Sequence, residues 1–334
     1  MKEKKKNYGI AILRVILSFM VLLDHFYNYK VLKNYFHILY YHIPTFFILS
    51  FYYTSNYFIY FNISKIKARF ERIVIPLIFW SIISLILNNI YYYFFSIESP
   101  HTIFDLFHNL LNGHLFYFAL WFQIVLILST LIVSIVVLLF KKYYLLIFQF
   151  LMILSYKFQY SGESYTFFYK YFTIHYTVTY GRFIDDFPHC ISGLLLGVYN
   201  IPNNLKLHRI KAIFINIIIL VFVSKYNFDA NMKCFKYGGI RLDLAAICLF
   251  LIFYLSNIKI NNGKIIKIFD IITNYTPGIY FSHYLIGKGI IMKYILGNKI
   301  ITLFGCIILY LTSYALCFSL DKLIGNTKLK HIIK

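Results

Sequence analysis

Charge is what this sequence is short of. Asp, Glu, Lys and Arg make up 13% of its 334 residues, against about a quarter in soluble globular domains, which excludes a water-soluble domain with an ordinary charged surface. Acids are the scarcer sign, with 12 Asp and Glu against 33 Lys and Arg. The resulting excess of +21 does not describe a nucleic-acid binder, because the bases stand in small groups at the ends of apolar segments. They are not gathered into a patch that could track phosphates. Cysteine is also sparse. Cys190, Cys234, Cys248, Cys306 and Cys317 lie far apart, with no CxxC or Cys/His ligand spacing. That excludes a zinc site and a disulfide framework and leaves the thiols as apolar packing residues. Six prolines and 15 glycines form no Gly/Ser/Pro linker, and no internal repeat is visible. One domain over 1–334 with no appended soluble domain is expected.

What is present is apolar sequence, 60% of the chain. It falls into runs at about 9–29, 36–60, 73–96, 115–140, 143–159, 183–200, 210–226, 241–258, 269–295 and 300–324. A hydrocarbon core about 30 Å thick needs helices of roughly 20 residues. The expected fold is therefore all-α: a polytopic integral membrane protein with about ten transmembrane helices. The first run follows the basic start MKEKKKN, as a signal peptide would, but it has span length and no small-residue cleavage site, so it is read as a retained span. With the N-terminus inside, twenty Lys and Arg fall on cytoplasmic segments and twelve on outer ones, the last being Arg14 within the first span. This bias predicts both termini cytoplasmic. Glu98, Asp105, Glu163, Asp185, Asp186, Asp229 and Asp243 then lie outside, a mixed-charge surface able to hold a polar acceptor.

In the first span, RVILSFMVLLDH places Arg14 and His25 eleven residues apart. That is about 1100° of helix, so they share a face to within about 20° and are separated by about 16 Å of rise. An Arg inside a span costs roughly 2.5–3.5 kcal/mol and by default marks function. The alternative is that Arg14 snorkels to headgroups while His25 sits at the interface, and spacing alone does not decide. Asp24 points about 100° away from His25 and reads as a surface acid at the helix end. GRFIDDFPH sets Arg182, Asp185, Asp186 and His189 at the outer mouth of the sixth span. Helical pairing distances favour a salt-bridged helix entry there, with acceptor binding as the sharper alternative. Arg241 and Asp243 open the eighth span in the same way. Tyr280 and His283 are three apart on one face of the ninth span, after a Pro277-Gly278 break expected to open backbone groups toward a cavity.

Four segments in order resemble the membrane-bound acyltransferase family 3, and the resemblance runs through nearly the whole chain. Arg14 and His25 match its R-x10-H signature, and HIPTFFILSFYYT (42–54) is similar to its "P-x-FF-x-x-SG" second span. KIKARFERIVIPLIFW (65–80) looks like its basic loop leading into "RI-x-x-P-x-x-x-W", and TPGIYFSHYLI (276–286) resembles its "T-x-G-I-Y-x-x-H" segment. Two departures stand out. Phe51 occupies the place of the Gly after Ser, and HLFYFALWF (114–122) matches the family's "H-L-W-F" only loosely.

The resemblance implies acyl transfer from cytoplasmic acyl-CoA, often acetyl-CoA, to a hydroxyl of a cell-surface polysaccharide, glycolipid or lipid-linked glycan. His25 would act as general base, its imidazole titrating near neutrality, or as acyl carrier. From its charge and its spacing on the same helix face, Arg14 is expected to contact CoA. In the basic segment Lys65, Lys67, Arg69 and Arg72, the arginines are candidate CoA-phosphate contacts, with an anionic-lipid anchor as the alternative. Tyr280, His283, Arg182 and Asp185 are candidate substrate contacts, and Ser50 is read as a hydroxyl tying two helices. No metal is expected. The partners expected are membrane lipids and the glycan acceptor, without nucleic acid, in a bacterial cytoplasmic membrane. The rival reading is a transporter or flippase for a glycan or lipid-linked intermediate. The order of the motifs and the lack of inverted repeats speak against it.

Overall fold

A computed structural model describes residues 7–26, 40–95, 102–104, 114–115, 118–119, 121–161, 174–226, 238–256, 258, 262–284, 286–287 and 303–324. Its helices are α1 (Tyr8–Phe26), α2 (His42–Ile59), α3 (Ile63–Phe95), α4 (Trp121–Leu139), α5 (Tyr144–Ser161), α6 (Ile174–Val198), the single turn α7 (Ile201–Asn204), α8 (Arg209–Lys225), α9 (Ile240–Ser256), α10 (Gly263–Tyr284) and α11 (Leu303–Ile324). Each apolar run of the sequence carries one of the long helices. Tyr8–His25, Trp121–Leu139, Ile201–Lys225 and Leu303–Ile324 are by length and apolarity able to cross a bilayer. A two-residue antiparallel pair, His114–Leu115 with Phe118–Ala119, precedes α4.

Helix α6 lies at the centre, packed against α2, α4, α5 and α9, while α1 packs on α2, α9, α10 and α11. The tightest seam is α2 on α6, and glycine makes it possible. A Cβ at Gly193 would strike the Ile48 backbone, and one at Gly197 would strike Ser55. This small-xxx-small spacing lets two helix backbones approach in a medium where apolar burial does not drive association. Phe51, standing at the expected glycine, stacks on Phe58 at 5.9 Å and lies beneath the Arg69 guanidinium of α3 at 4.5 Å. Phe47, Phe51, Trp121, Val125 and Ile191 form one core cluster; Leu22, Trp80, Ile279 and Leu309 form a second beneath α1 and α10. Phe214, Ile215, Val221 and Phe222 of α8 and Leu146, Phe150 and Ile153 of α5 point outward, an apolar surface that water would not tolerate but lipid covers.

Three expectations change. The basic segment before the third span is part of α3, which begins at Ile63. No Gly or Pro precedes Pro76 in this helix, and Lys, Arg, Ala and Glu propagate one readily. GRFIDDFPH is not a helix entry, because α6 begins at Ile174 and carries the segment along its length, with Pro188 inside. Proline lacks the N–H that would bind the carbonyl four residues back, here that of Ile184. The Gln159 side chain of α5 supplies the donor instead, its Nε2 lying 3.3 Å from Ile184 O and 3.2 Å from Asp185 O. Likewise Pro277 leaves α10 continuous from Gly263 to Tyr284. The Thr273 carbonyl that it deprives of an N–H accepts the Thr276 hydroxyl at 2.5 Å.

Candidate functional site

The ends of α1 and α10 bring two imidazoles together. The ring centroids of His25 and His283 are 5.5 Å apart, tilted by 30°. His25 is exposed and His283 buried. His283 Nδ1 lies 3.0 Å from the Ile279 carbonyl, which can only accept, so this nitrogen donates. The contact fixes the tautomer and leaves Nε2 as the basic nitrogen of a neutral ring. Tyr280 stands 5.9 Å from His283, and its other side meets Phe122 of α4 at 5.3 Å. Next to Phe122, the Trp121 ring carries the Arg182 guanidinium 4.3 Å above its centroid. Arg182 and Asp186 of α6 both act electrostatically on Tyr280. Residues from α1, α4, α6 and α10, distant in sequence, thus form one continuous polar and aromatic wall. Asp24, read as a surface acid, is buried, with 8% of its surface exposed.

The arginines expected to meet the donor separate into three environments. Arg69 is buried and donates three hydrogen bonds. Its Nε donates to Thr130 Oγ1 at 3.0 Å, and its Nη atoms donate to Ser50 O at 3.3 Å and Ser50 Oγ at 3.0 Å. The guanidinium also lies 4.5 Å from the Phe51 ring centroid. It ties α2, α3 and α4 together, with Ser50 as the hydroxyl that joins two helices. Arg72, one turn on, is exposed. Arg14 is half-buried in α1, with the Tyr53 side chain of α2 in electrostatic reach and no hydrogen bond or ion pair to another described residue.

A second polar cluster lies behind this wall, and its hub is Asp243 of α9. Asp243 Oδ1 is 2.8 Å from His189 Nδ1; Oδ2 accepts the Ser192 hydroxyl at 2.7 Å and the Tyr156 hydroxyl at 2.9 Å. On the far side of the imidazole, His189 Nε2 faces Asp186 Oδ1 at 3.9 Å. Sequence reasoning gave Asp243 little weight and passed over Gln159 and Tyr156. The available signal was an acid four residues into an apolar helix, and its partners on α5 and α6 were invisible without the packing. Asp185 is buried beside this cluster. Cys190, Cys248, Cys306 and Cys317 are free and buried, while Cys234, Glu163 and Asp229 lie outside the described residues. Among the described residues no group of three or more His, Cys, Asp or Glu is arranged to hold a metal ion.

Apolar helices with a lipid-facing exterior, closed around facing imidazoles, arginines and paired carboxylates, define an integral membrane protein with a polar centre inside its bundle. A family model of the acyltransferase domain matches residues 7–321, and the chain belongs to acyltransferase family 3. Membership gives acyl transfer as its general chemistry. No curated protein and no solved structure matches the chain.

Proposed function

We propose that the protein spans the membrane ten times with both termini cytoplasmic and transfers an acyl group, acetyl in the simplest case, from acyl-CoA to a hydroxyl of a cell-surface glycan or glycolipid. The observation that carries this reading is the meeting of His25 with His283. The two helices involved hold the first and last of the ordered family motifs, and their imidazoles face one another at 5.5 Å. His25, the exposed member, takes the proton of the acceptor hydroxyl as its oxygen attacks the thioester carbonyl. The thiolate that leaves is reprotonated as CoA-SH. His283, oriented by the Ile279 carbonyl, and Tyr280 hold the reacting groups against the α10 wall. Arg182 on α6 faces the acceptor side, with Asp185 buried behind it, and Arg14 and Arg72 receive the polar and phosphate groups of the donor. Arg69 contributes by holding α2, α3 and α4 in register.

Membranes carrying the wild type, His25→Ala or Arg14→Ala, incubated with labelled acetyl-CoA, test this reading. General-base catalysis contributes about 10²–10⁴-fold, so His25→Ala is expected to lose transfer to surface glycan by that factor at normal protein level. Equal labelling by all three proteins removes the assignment.

A further inference from the structure

Helix α6 is secured at one end and interrupted before the other. Its C-terminal half is fixed by the glycine seam at Gly193 and Gly197 against α2. Pro188 then breaks the hydrogen-bond ladder, and a proline in a helix interior permits a kink because it frees a carbonyl and crowds the preceding turn. Arg182, Asp185 and Asp186 all lie on the N-terminal side of that break. The α2 seam therefore does not by itself determine where Arg182 stands, although Arg182 is the α6 residue that reaches Trp121 and acts on Tyr280.

Two side chains from outside α6 bind it around the proline. Gln159 of α5 is completely buried, and its amide donates to both Ile184 O and Asp185 O, the carbonyls just before the break. Asp243 of α9 holds His189 and Ser192 just after it, and its second oxygen also takes the Tyr156 hydroxyl of α5. His189 then reaches back across Pro188 to Asp186. The charged and titratable groups meeting here are Asp186, His189, Arg182 and Asp185 on α6, Asp243 and Arg241 on α9, Tyr156 on α5, and Tyr280 on α10. The buried Asp243 carboxylate accepts from three donors on two neighbouring helices, an arrangement that fixes helix rotation more sharply than apolar packing does.

We propose that Gln159 and Asp243 are positioning residues of the acyl-transfer site: by bracketing Pro188 they set the N-terminal half of α6 and thereby place Arg182 over Trp121 beside Tyr280. They act through α6 without touching the reacting groups. The mechanistic consequence rests on the proposed acyl transfer, while the positioning itself has an independent readout. The chain has two tryptophans, Trp80 and Trp121. In a Trp80→Phe background, Trp121 alone reports whether a guanidinium lies on its face.

The full-length protein in lipid nanodiscs is measured in that background with Arg182→Gln as reference, then with Asp243→Asn and Gln159→Leu, which retain side-chain size. Arg182→Gln is expected to shift Trp121 emission, and both positioning variants are expected to shift it the same way. Ser192→Ala and Tyr156→Phe, each removing one donor to Asp243, produce smaller shifts and serve where the stronger variants fold poorly. In the native background, with acetyl-CoA as donor and surface glycan as acceptor, Asp243→Asn and Gln159→Leu raise the acceptor KM about tenfold, equivalent to about 1.4 kcal/mol, with the donor KM unchanged. The proposal is overturned if Arg182→Gln moves the emission and the folded positioning variants do not, or if Arg182→Gln itself leaves it unmoved. Absence of transfer in the wild type would remove the acyl-transfer reading while leaving the emission result to decide the positioning.

Discussion

Two arginines from the ordered motifs, Arg14 on α1 and Arg69 on α3, meet opposite surroundings. Arg69 has three hydrogen bonds to two neighbouring helices and an aromatic face beneath it. Arg14 has a tyrosine in electrostatic reach and no hydrogen bond or ion pair to another described residue. Arg14 bears the insertion cost of a cation in a span, roughly 2.5–3.5 kcal/mol, and buried Arg69 bears the cost of taking a cation out of water. For Arg69 the bundle itself offsets that cost, since its fork of donors satisfies a side-chain hydroxyl on α4 and two oxygens of Ser50 on α2. For Arg14 no hydrogen bond or ion pair to another described residue does so, which supports the donor contact proposed for it. Under the proposed function, the comparison divides the molecule into a side whose polar groups hold helices together and a side whose polar groups would face a ligand.

The largest effect is expected on the first side. Arg69→Ala removes the shared donor and leaves the Thr130 hydroxyl and both Ser50 oxygens without it. Hydrogen bonds to charged groups are worth roughly 1.5–3 kcal/mol, and a buried acceptor left unpaired adds to the loss. Thermal unfolding in detergent should therefore show the variant less stable by about 3 kcal/mol, with less protein reaching the membrane. Arg69→Lys keeps the charge but not the planar fork and falls between. A stability equal to wild type for Arg69→Ala would erase the distinction drawn between the two arginines. Next comes Gly193→Ala, where the added methyl meets the Ile48 backbone, a neighbour that cannot turn aside. Overpacking of this kind costs about 1–3 kcal/mol, and the same unfolding measurement reads it.

Much of the tethering side was legible in part. Ser50 was read from sequence as a helix-to-helix hydroxyl, and the apolar runs located the long helices, because period and length in an apolar chain are local properties. Less local features were not legible. Arg69 sits in a motif beside Arg72 and reads like it, yet a turn of three residues carries one inward and the other to the surface. Asp243 looked like a helix-opening acid because its three donors come from α5 and α6, some fifty to ninety residues away. Pro277 looked like a break because a proline's missing N–H is visible in sequence, whereas Thr276, which satisfies the carbonyl it frees, and Gln159, which does so for Pro188, act through rotamer and packing. At the candidate site, the helical spacing of Tyr280 and His283 was readable, but the approach of His25 to His283 joins residues more than 250 positions apart and needed the fold.

The smallest effect on stability, and the sharpest test of the comparison, is expected at Arg14. Since no hydrogen bond or ion pair ties its guanidinium to another described residue, Arg14→Ala should leave thermal unfolding unchanged or slightly improved, because a cation in an apolar helix is removed without stranding an acceptor. Its effect should appear instead in the kinetics. Loss of one charged contact to the donor raises the KM for acetyl-CoA about tenfold, about 1.4 kcal/mol, while kcat changes little, since a contact made equally in ground and transition states affects binding alone. Arg14→Lys, which keeps a cation on a flexible stem, should recover part of that affinity. If Arg14→Ala destabilises the protein as Arg69→Ala does, both arginines are tethers and the donor is held elsewhere. If it lowers kcat with KM unchanged, Arg14 acts on the transition state and belongs beside His25 in the chemistry.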